Sequence, residues 1–300
     1  MITVQNLVKT FDGFTALGGI SCTIPEGSIY GMVGSNGAGK STFLRLLCGI
    51  YKPDSGSIYI DGMPVWENPK AKELFMFVPD DLHFINGADM ERMARLYASI
   101  YKNFDYEVYR KLASRLKLPI RKSINGFSKG MKRQAAIILA LATRPKYIFF
   151  DETFDGLDPV IRNVVKGIIY EEIVERQATA IITSHSLREL EDTCDQLALL
   201  HKGGLVFERE ISDLKTSLFK IQIALSQDYD KEIFGDIDMI HFSKKGSVAN
   251  MIVRGDKEET VAKLKALMPV ILDVLPLTLE EVFTYEMSAL GYEFAPIEEV

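Results

Sequence analysis

Residues 28–48 read Ser-Ile-Tyr-Gly-Met-Val-Gly-Ser-Asn-Gly-Ala-Gly-Lys-Ser-Thr-Phe-Leu-Arg-Leu-Leu-Cys. The middle of this stretch, Gly34, Ser35, Asn36, Gly37, Ala38, Gly39, Lys40, Ser41 and Thr42, fits the spacing G-x-x-x-x-G-K-[ST] of a phosphate-binding loop. Residues 28–33 are short and apolar, as a buried strand requires. Residues 43–48 are apolar enough for a helix packed on a sheet. Strand, glycine loop and helix are the context in which that spacing carries meaning. Glycines let the backbone turn its N–H groups inward, and a helix N-terminus adds partial positive charge. Lys40 then reaches the β- and γ-phosphates, and the Ser41 hydroxyl faces Mg²⁺.

Composition sets limits around this loop. The chain has 300 residues, 47% apolar and 25% charged, which suits a soluble globular protein of one large or two ordinary domains. The net charge of −6 argues against a nucleic-acid binder, which usually shows a basic face, although a local basic patch is compatible with it. Cys22, Cys48 and Cys194 are far apart and have no metal or disulfide spacing, which fits a reducing cytosol. The N-terminus lacks the pattern of a signal peptide, and no apolar run approaches the ~20 residues of a membrane span. Any membrane role is expected to come through a partner.

Along the chain, strands are expected at 2–7, 17–24, 57–60 and 75–78. Residues 86–144 carry apolar positions at helical spacing, among them Met90, Met93, Leu96 and Leu112, and read as a helical insertion. Tyr147-Ile-Phe-Phe150 is wholly apolar, as a central parallel strand would be, and it ends in Asp151-Glu152. Asp158-Pro159 predicts a capped helix over 159–176. Thr179–Thr183 is another central strand. Ser186 and Glu189 have capping-box spacing and predict a helix start just after His185. Leu197–Leu200 and Leu205–Phe207 read as a closing hairpin around Lys202-Gly-Gly204. Residues 215–285 read as a small α+β accessory unit, with Thr278 and Glu281 capping its last helix. Residues 286–300 read as an acidic tail.

Several of these pieces carry chemistry if they meet the loop in space. Asp151 stands where a strand-end carboxylate can coordinate Mg²⁺, and Glu152 can orient or deprotonate an attacking water. Strand alternation would turn the two to opposite sides. His185, taken alone, fits packing as well as catalysis. Phe11 and Phe14 flank a turn, where an aromatic can stack on a purine or cap the sheet.

Together, these residues resemble the nucleotide-binding subunit of an ABC transporter. The resemblance covers residues 1 to about 210. Gly34–Thr42 matches Walker A, Tyr147–Glu152 matches Walker B with its catalytic glutamate, and Gly156-Leu-Asp158 matches the D-loop. His185 matches the switch histidine and Phe11 the adenine-stacking aromatic. Phe127-Ser-Lys-Gly-Met131 stands where the family carries Leu-Ser-Gly-Gly-Gln; Ser128 and Gly130 are kept, and Lys129 replaces a glycine. Asp80 stands where the family usually has a glutamine that touches Mg²⁺ and the water. A carboxylate there can ligate Mg²⁺ or be a solvated turn residue.

The resemblance implies an α/β P-loop NTPase fold of the ABC type over 1–214, with an antiparallel β subdomain and a helical subdomain at about 86–144. It implies ATP and Mg²⁺ as ligands. Nucleotide would be held by Phe11, Gly34–Thr42, Ser128, Gly130 and Asp158, with catalysis by Glu152, His185 and Lys40, and metal at Ser41, Asp151 and Asp80. It implies a homodimer or heterodimer with each ATP between two subunits, on the cytoplasmic face of the membrane beneath a separate permease. The ending Leu277-Thr-Leu-Glu-Glu-Val-Phe283 and the Ser-Lys-Gly-Met signature resemble ATPases of ABC-2-type exporters. Phe77–Phe84 resembles a subgroup that includes acetoin-operon and phenol-soluble-modulin exporters. The cargo expected is a peptide, an antibiotic or a lipid-like molecule. A soluble ABC ATPase of translation or repair, or an importer ATPase, is the alternative.

Overall fold

The chain opens with β1 (Ile2–Phe11) and β2 (Phe14–Ile24), a hairpin turned by Asp12 and Gly13 at φ 46° and 83°. Positive φ at both residues matches a two-residue turn to the twist of the flanking strands. The strands run further than the apolar stretches 2–7 and 17–24 predict, because Thr10 and Phe11 still pair with Thr15 and Phe14 beside the turn. After β3 (Ile29–Val33) and α1 (Lys40–Leu47), β4 (Ser55–Ile60) and β5 (Met63–Pro64) join the first pair. The result is an antiparallel sheet in the order β2-β1-β4-β5.

A short α2 (Pro69–Lys72) precedes β6 (Phe75–Val78). The helical insertion follows as α3 (Met90–Ile100), α4 (Tyr106–Arg115) and α5 (Lys129–Ala142). Asp89, Asp105 and Ser128 cap them, each side chain accepting from backbone N–H groups of the first turn. The chain then alternates through β7 (Tyr147–Phe150), α6 (Pro159–Arg176), β8 (Thr179–Ser184), α7 (Leu187–Leu190), β9 (Gln196–His201) and β10 (Gly204–Glu210). Asp158 caps α6 with Pro159 at its first position, as its sequence requires.

These strands form a second sheet in the order β10-β9-β3-β8-β7-β6, in which β9, β3, β8, β7 and β6 are parallel neighbours. All residues of β3, β7 and β8 are buried, which explains why β7 is wholly apolar and why β3 and the middle of β8 carry no charged residue. Because the strands are parallel, the loops after β3, β6, β7 and β8 leave from one edge. Ligand sites of open α/β sheets lie at that carboxyl edge. Cys22, Cys48 and Cys194 are buried free thiols. Burial pushes the Cys22 thiol up to about 12 and the Cys48 and Cys194 thiols up as well.

The computed structural model describes residues 1–289 and divides into two compact units, the first being Met1–Arg209. From Glu210 the second unit contains α8 (Ile211–Ser217), β11 (Leu218–Ala224), β12 (Met239–Lys245), β13 (Val248–Arg254), α9 (Lys257–Lys265), β14 (Ile271–Leu275) and α10 (Leu279–Ala289). Its antiparallel sheet runs β12-β13-β11-β14, over a core of Ile221, Ile223, Phe234, Met251, Val253 and Leu264. Thr278 and Glu281 form the expected capping box before α10: the Glu281 N–H donates to Thr278 Oγ1 (3.2 Å), and the Thr278 N–H to Glu281 Oε2 (2.8 Å). Most of the expected acidic tail, residues 290–300, lies outside the described residues. No helix among the described residues is long and apolar enough to cross a membrane.

Candidate active site

The loop between β3 and α1 is shaped by what cannot fit beside it. Gly39 has φ 107°, and a Cβ there would sit 2.6 Å from Leu17 Cδ2 and 2.7 Å from the Ala16 carbonyl oxygen. A Cβ at Gly34 would lie 2.4 Å from the Leu200 carbonyl oxygen. The loop is thus pressed between β2 and β9, with only Ser35, Asn36 and Gly37 exposed at its tip. Lys40 begins α1 and is 5% exposed. Its ammonium donates to the carbonyls of Gly34 (2.6 Å) and Ser35 (3.3 Å) and lies 3.1 Å from Glu152 Oε1. All three partners are oxygens, so this cradle can present a cation to phosphate oxygens.

Asp151 follows β7 and is fully buried. Its Oδ1 accepts from Ser41 Oγ (3.0 Å) and Thr183 Oγ1 (2.8 Å). Its Oδ2 is buried without a hydrogen-bond partner. Burial pushes the carboxyl up, while the hydrogen bonds from Thr183 and Ser41 oppose that. A buried anionic oxygen left open beside a hydroxyl suits a hard cation. No group of three or more His, Cys, Asp or Glu capable of holding a metal occurs among the described residues. The one carboxylate of Asp151 with the Ser41 hydroxyl fits Mg²⁺, which takes one or two carboxylates and completes its shell with water and substrate phosphates.

Glu152 turns the other way, and not through strand alternation as its sequence suggests, since β7 ends at Phe150. Glu152 has φ 46°, a left-handed conformation unfavourable for a non-glycine residue. Its N–H donates to Thr183 Oγ1 (3.1 Å). The turn carries its side chain to Lys40 on one oxygen and to His185 on the other: Oε2 accepts from the His185 N–H (3.3 Å) and lies 2.9 Å from His185 Nδ1. His185 is half-exposed, so its ring can also face a ligand. Lys40, Ser41, Asp151, Glu152 and His185 therefore meet at one edge of the sheet.

The remaining predicted residues are placed as follows. Ser128 caps α5, its Oγ accepting from the Met131 N–H at 3.2 Å. Gly130 lies so close to the loop after β7 that a Cβ would be 3.0 Å from the Gly156 carbonyl oxygen. Asp158 Oδ1 accepts from the Val160 and Ile161 N–H groups, so its carboxylate is engaged in capping α6. Phe11 packs edge-on against Tyr51 with centroids 5.2 Å apart and stays partly exposed. Asp80 is not joined to Ser41 or Asp151 by any hydrogen bond among the described residues. Instead its Oδ1 accepts from Arg133 Nη2 at 2.6 Å.

Three features escape sequence reasoning. Thr183 holds both Asp151 and the Glu152 backbone; its only signal is a hydroxyl at the end of an apolar strand. Arg133 is a fully buried cation just before the all-apolar second half of α5, and nothing nearby in the sequence marks it as buried while Lys129 and Lys132 are not. The Ser186–Glu189 capping box is not formed. Glu189 is buried and turns inward, accepting from Ser184 Oγ (2.6 Å) and pairing with Arg162 (3.2 Å). Arg162 in turn donates to the Leu157 carbonyl (3.2 Å), so the turns around His185 and Asp158 share one network.

Comparison with known proteins gives the family. Residues 17–155 match the ABC transporter family. Over 283 residues the chain is 32% identical to the ABC transporter ATP-binding protein YtrB of Bacillus subtilis (strain 168), across 94% of this chain and 97% of that one. It is 31% identical over 220 residues to the bacitracin transport ATP-binding protein BcrA of Bacillus licheniformis, across 72% of this chain and 71% of that one. A solved ATP-binding subunit of an ABC transporter superposes with a TM-score of 0.65 at 25% identity, across 72% of this chain and 92% of that one. The chain belongs to the ATP-binding proteins of ABC transporters, which hydrolyse ATP.

Proposed function

We propose that this chain is the ATP-hydrolysing subunit of an exporter and works as a dimer beneath a separate ABC-2-type permease, on the cytoplasmic face of the membrane. The observation that carries the enzymatic reading is the meeting of Lys40, Glu152 and His185 around one carboxylate, beside Asp151 and Ser41. Gly34–Thr42 bind the phosphates, and incoming phosphate oxygens replace the Gly34 and Ser35 carbonyls and the Glu152 carboxylate at the Lys40 ammonium. That exchange frees Glu152 to orient a water and accept its proton, while His185 donates to the γ-phosphate. Ser41 and Asp151 would hold Mg²⁺, which supplies charge neutralisation at the phosphates. Phe11 stacks on the base. Ser128 and Gly130, with Asp158 alongside, complete the site of a second subunit from across the interface.

The export reading rests on the Leu277–Phe283 ending, on the Ser128–Met131 signature and on a relative named for bacitracin transport. A peptide, an antibiotic or a lipid-like molecule is the cargo class, and Phe77–Phe84 favours the exporter subgroup that includes acetoin-operon and phenol-soluble-modulin transporters. Two experiments test the proposal. Purified protein should hydrolyse MgATP, and Glu152→Gln should abolish turnover; undiminished turnover overturns Glu152 as base. Affinity purification from membranes should retain a permease, and a protein that instead travels with ribosomes would overturn the export reading.

A further inference from the structure

Of the three cations in the first two turns of α5, Lys129 and Arg133 stand four residues apart and each pairs with a carboxylate of a loop at the sheet edge. Lys129 Nζ lies 2.6 Å from Asp155 Oδ2, in the loop after β7. Arg133 reaches the loop after β6, donating from Nη1 to the Pro79 carbonyl (3.0 Å) and from Nη2 to Asp80 Oδ1 (2.6 Å). The two pairs differ in kind. Lys129 and Asp155 are both well exposed, where ion pairs contribute little. The Arg133 side chain is 1% exposed while Asp80 is 51% exposed. A buried guanidinium needs its counter-ion, and removing the partner leaves an uncompensated charge. Asp155, a further carboxylate that feels the Arg133 charge, is already paired with Lys129.

We propose, building on the nucleotide site described above, that Asp80 is a positioning residue acting through Arg133 and not a metal ligand. The pair ties α5, which carries Ser128 and Gly130 at its start, to the carboxyl end of β6. The Asp80 carboxylate is thus committed to fixing the signature turn relative to the catalytic edge, and the metal is left to Ser41 and Asp151.

The test is a double-mutant cycle of Asp80→Asn, Arg133→Gln and the two combined, with Arg133→Lys as the conservative variant. Each single change should lower kcat on the order of tenfold, the scale of a small misplacement of catalytic groups, with KM for MgATP nearly unchanged. The double variant should be no worse than the worse single one, because both remove the same contact. Arg133→Lys should recover part of the rate. The Mg²⁺ concentration giving half the ADP-induced rise in melting temperature should be the same in every variant. That readout needs no turnover, so an inactive wild type would count against the proposed function while the cycle in thermal stability still measured the pairing. The double variant leaves no unpaired buried charge and keeps the test open if Asp80→Asn alone does not fold. A raised Mg²⁺ requirement in Asp80→Asn but not in Arg133→Gln overturns the proposal, as does simple additivity of the two changes.

Discussion

Glu152 stands in an unfavourable backbone conformation, and that conformation separates it from Asp151. A left-handed residue costs on the order of 1–3 kcal/mol and persists only where its surroundings over-determine it. Here Thr183 holds the Glu152 N–H, and Lys40 and His185 hold its carboxylate. Glu152→Gln should lower kcat by roughly 10²–10⁴-fold, the usual worth of a general base, in a steady-state phosphate-release assay. The same change should tighten ADP binding in a titration, because a neutral amide no longer competes for the Lys40 ammonium. The identity of both carboxylates was legible at the end of an apolar strand. Their division was not, because sequence reports alternation along a strand and Glu152 lies beyond it. Asp80 was legible as a departure, whereas its partner Arg133, distant along the chain, was not.

Two segments with the same capping spacing behave differently, and their surroundings explain it. Thr278 and Glu281 sit at an exposed helix start, where the carboxylate accepts from the Thr278 N–H and hydroxyl. Glu189 is buried opposite Arg162, and an ion pair reinforced by Ser184 outweighs a cap. Glu189→Ala should destabilise the first unit by about 3 kcal/mol, at the low end for a broken buried pair because Arg162 is partly exposed; denaturant unfolding reads this. Within the large sheet, Tyr30 in β3 donates to Glu208 in β10 at 2.8 Å. Burial raises the Glu208 carboxyl and the Tyr30 hydrogen bond only partly offsets it. A raised folded value means that stability is fully present below the ordinary carboxylate range, near ~4.3, and is lost as pH rises through the folded value. At neutral pH the ionised Glu208 is therefore a net cost. Glu208→Gln should raise the melting temperature at pH 8 and lose that advantage near pH 4 in thermal scans. The long helix α6 and the short central strands β6 and β7 follow their sequence to the residue, because cap and proline fix the first and unbroken apolar runs fix the other two. The strand β12 carries little apolar alternation, because its residues are at most partly buried on either side and it ends in lysines.

Each of the two units has its own apolar core. Differential scanning calorimetry should resolve two transitions. Only the one belonging to the first unit should respond to MgADP, by about 2.7 kcal/mol at a hundredfold excess over Kd, since ligand stabilises the fold that binds it. A single transition, or a shift of both, would argue against separate cooperative units. At this scale the alternation of strands and helices through residue 210 is strongly periodic and was readable. The second unit was readable only as α+β, because short antiparallel strands leave pairing order to contacts far apart in the chain.

The three sealed thiols turn the first unit into its own reporter. Alkylating reagents need a thiolate, and burial withholds both access and charge from Cys22, Cys48 and Cys194. Because these residues belong to β2, to the end of α1 and to the segment after α7, their labelling rates in the native protein clock the opening of three separate parts of the unit. A single cysteine added on an exposed surface would then be the one fast-reacting handle for attaching a probe, without removing any natural cysteine.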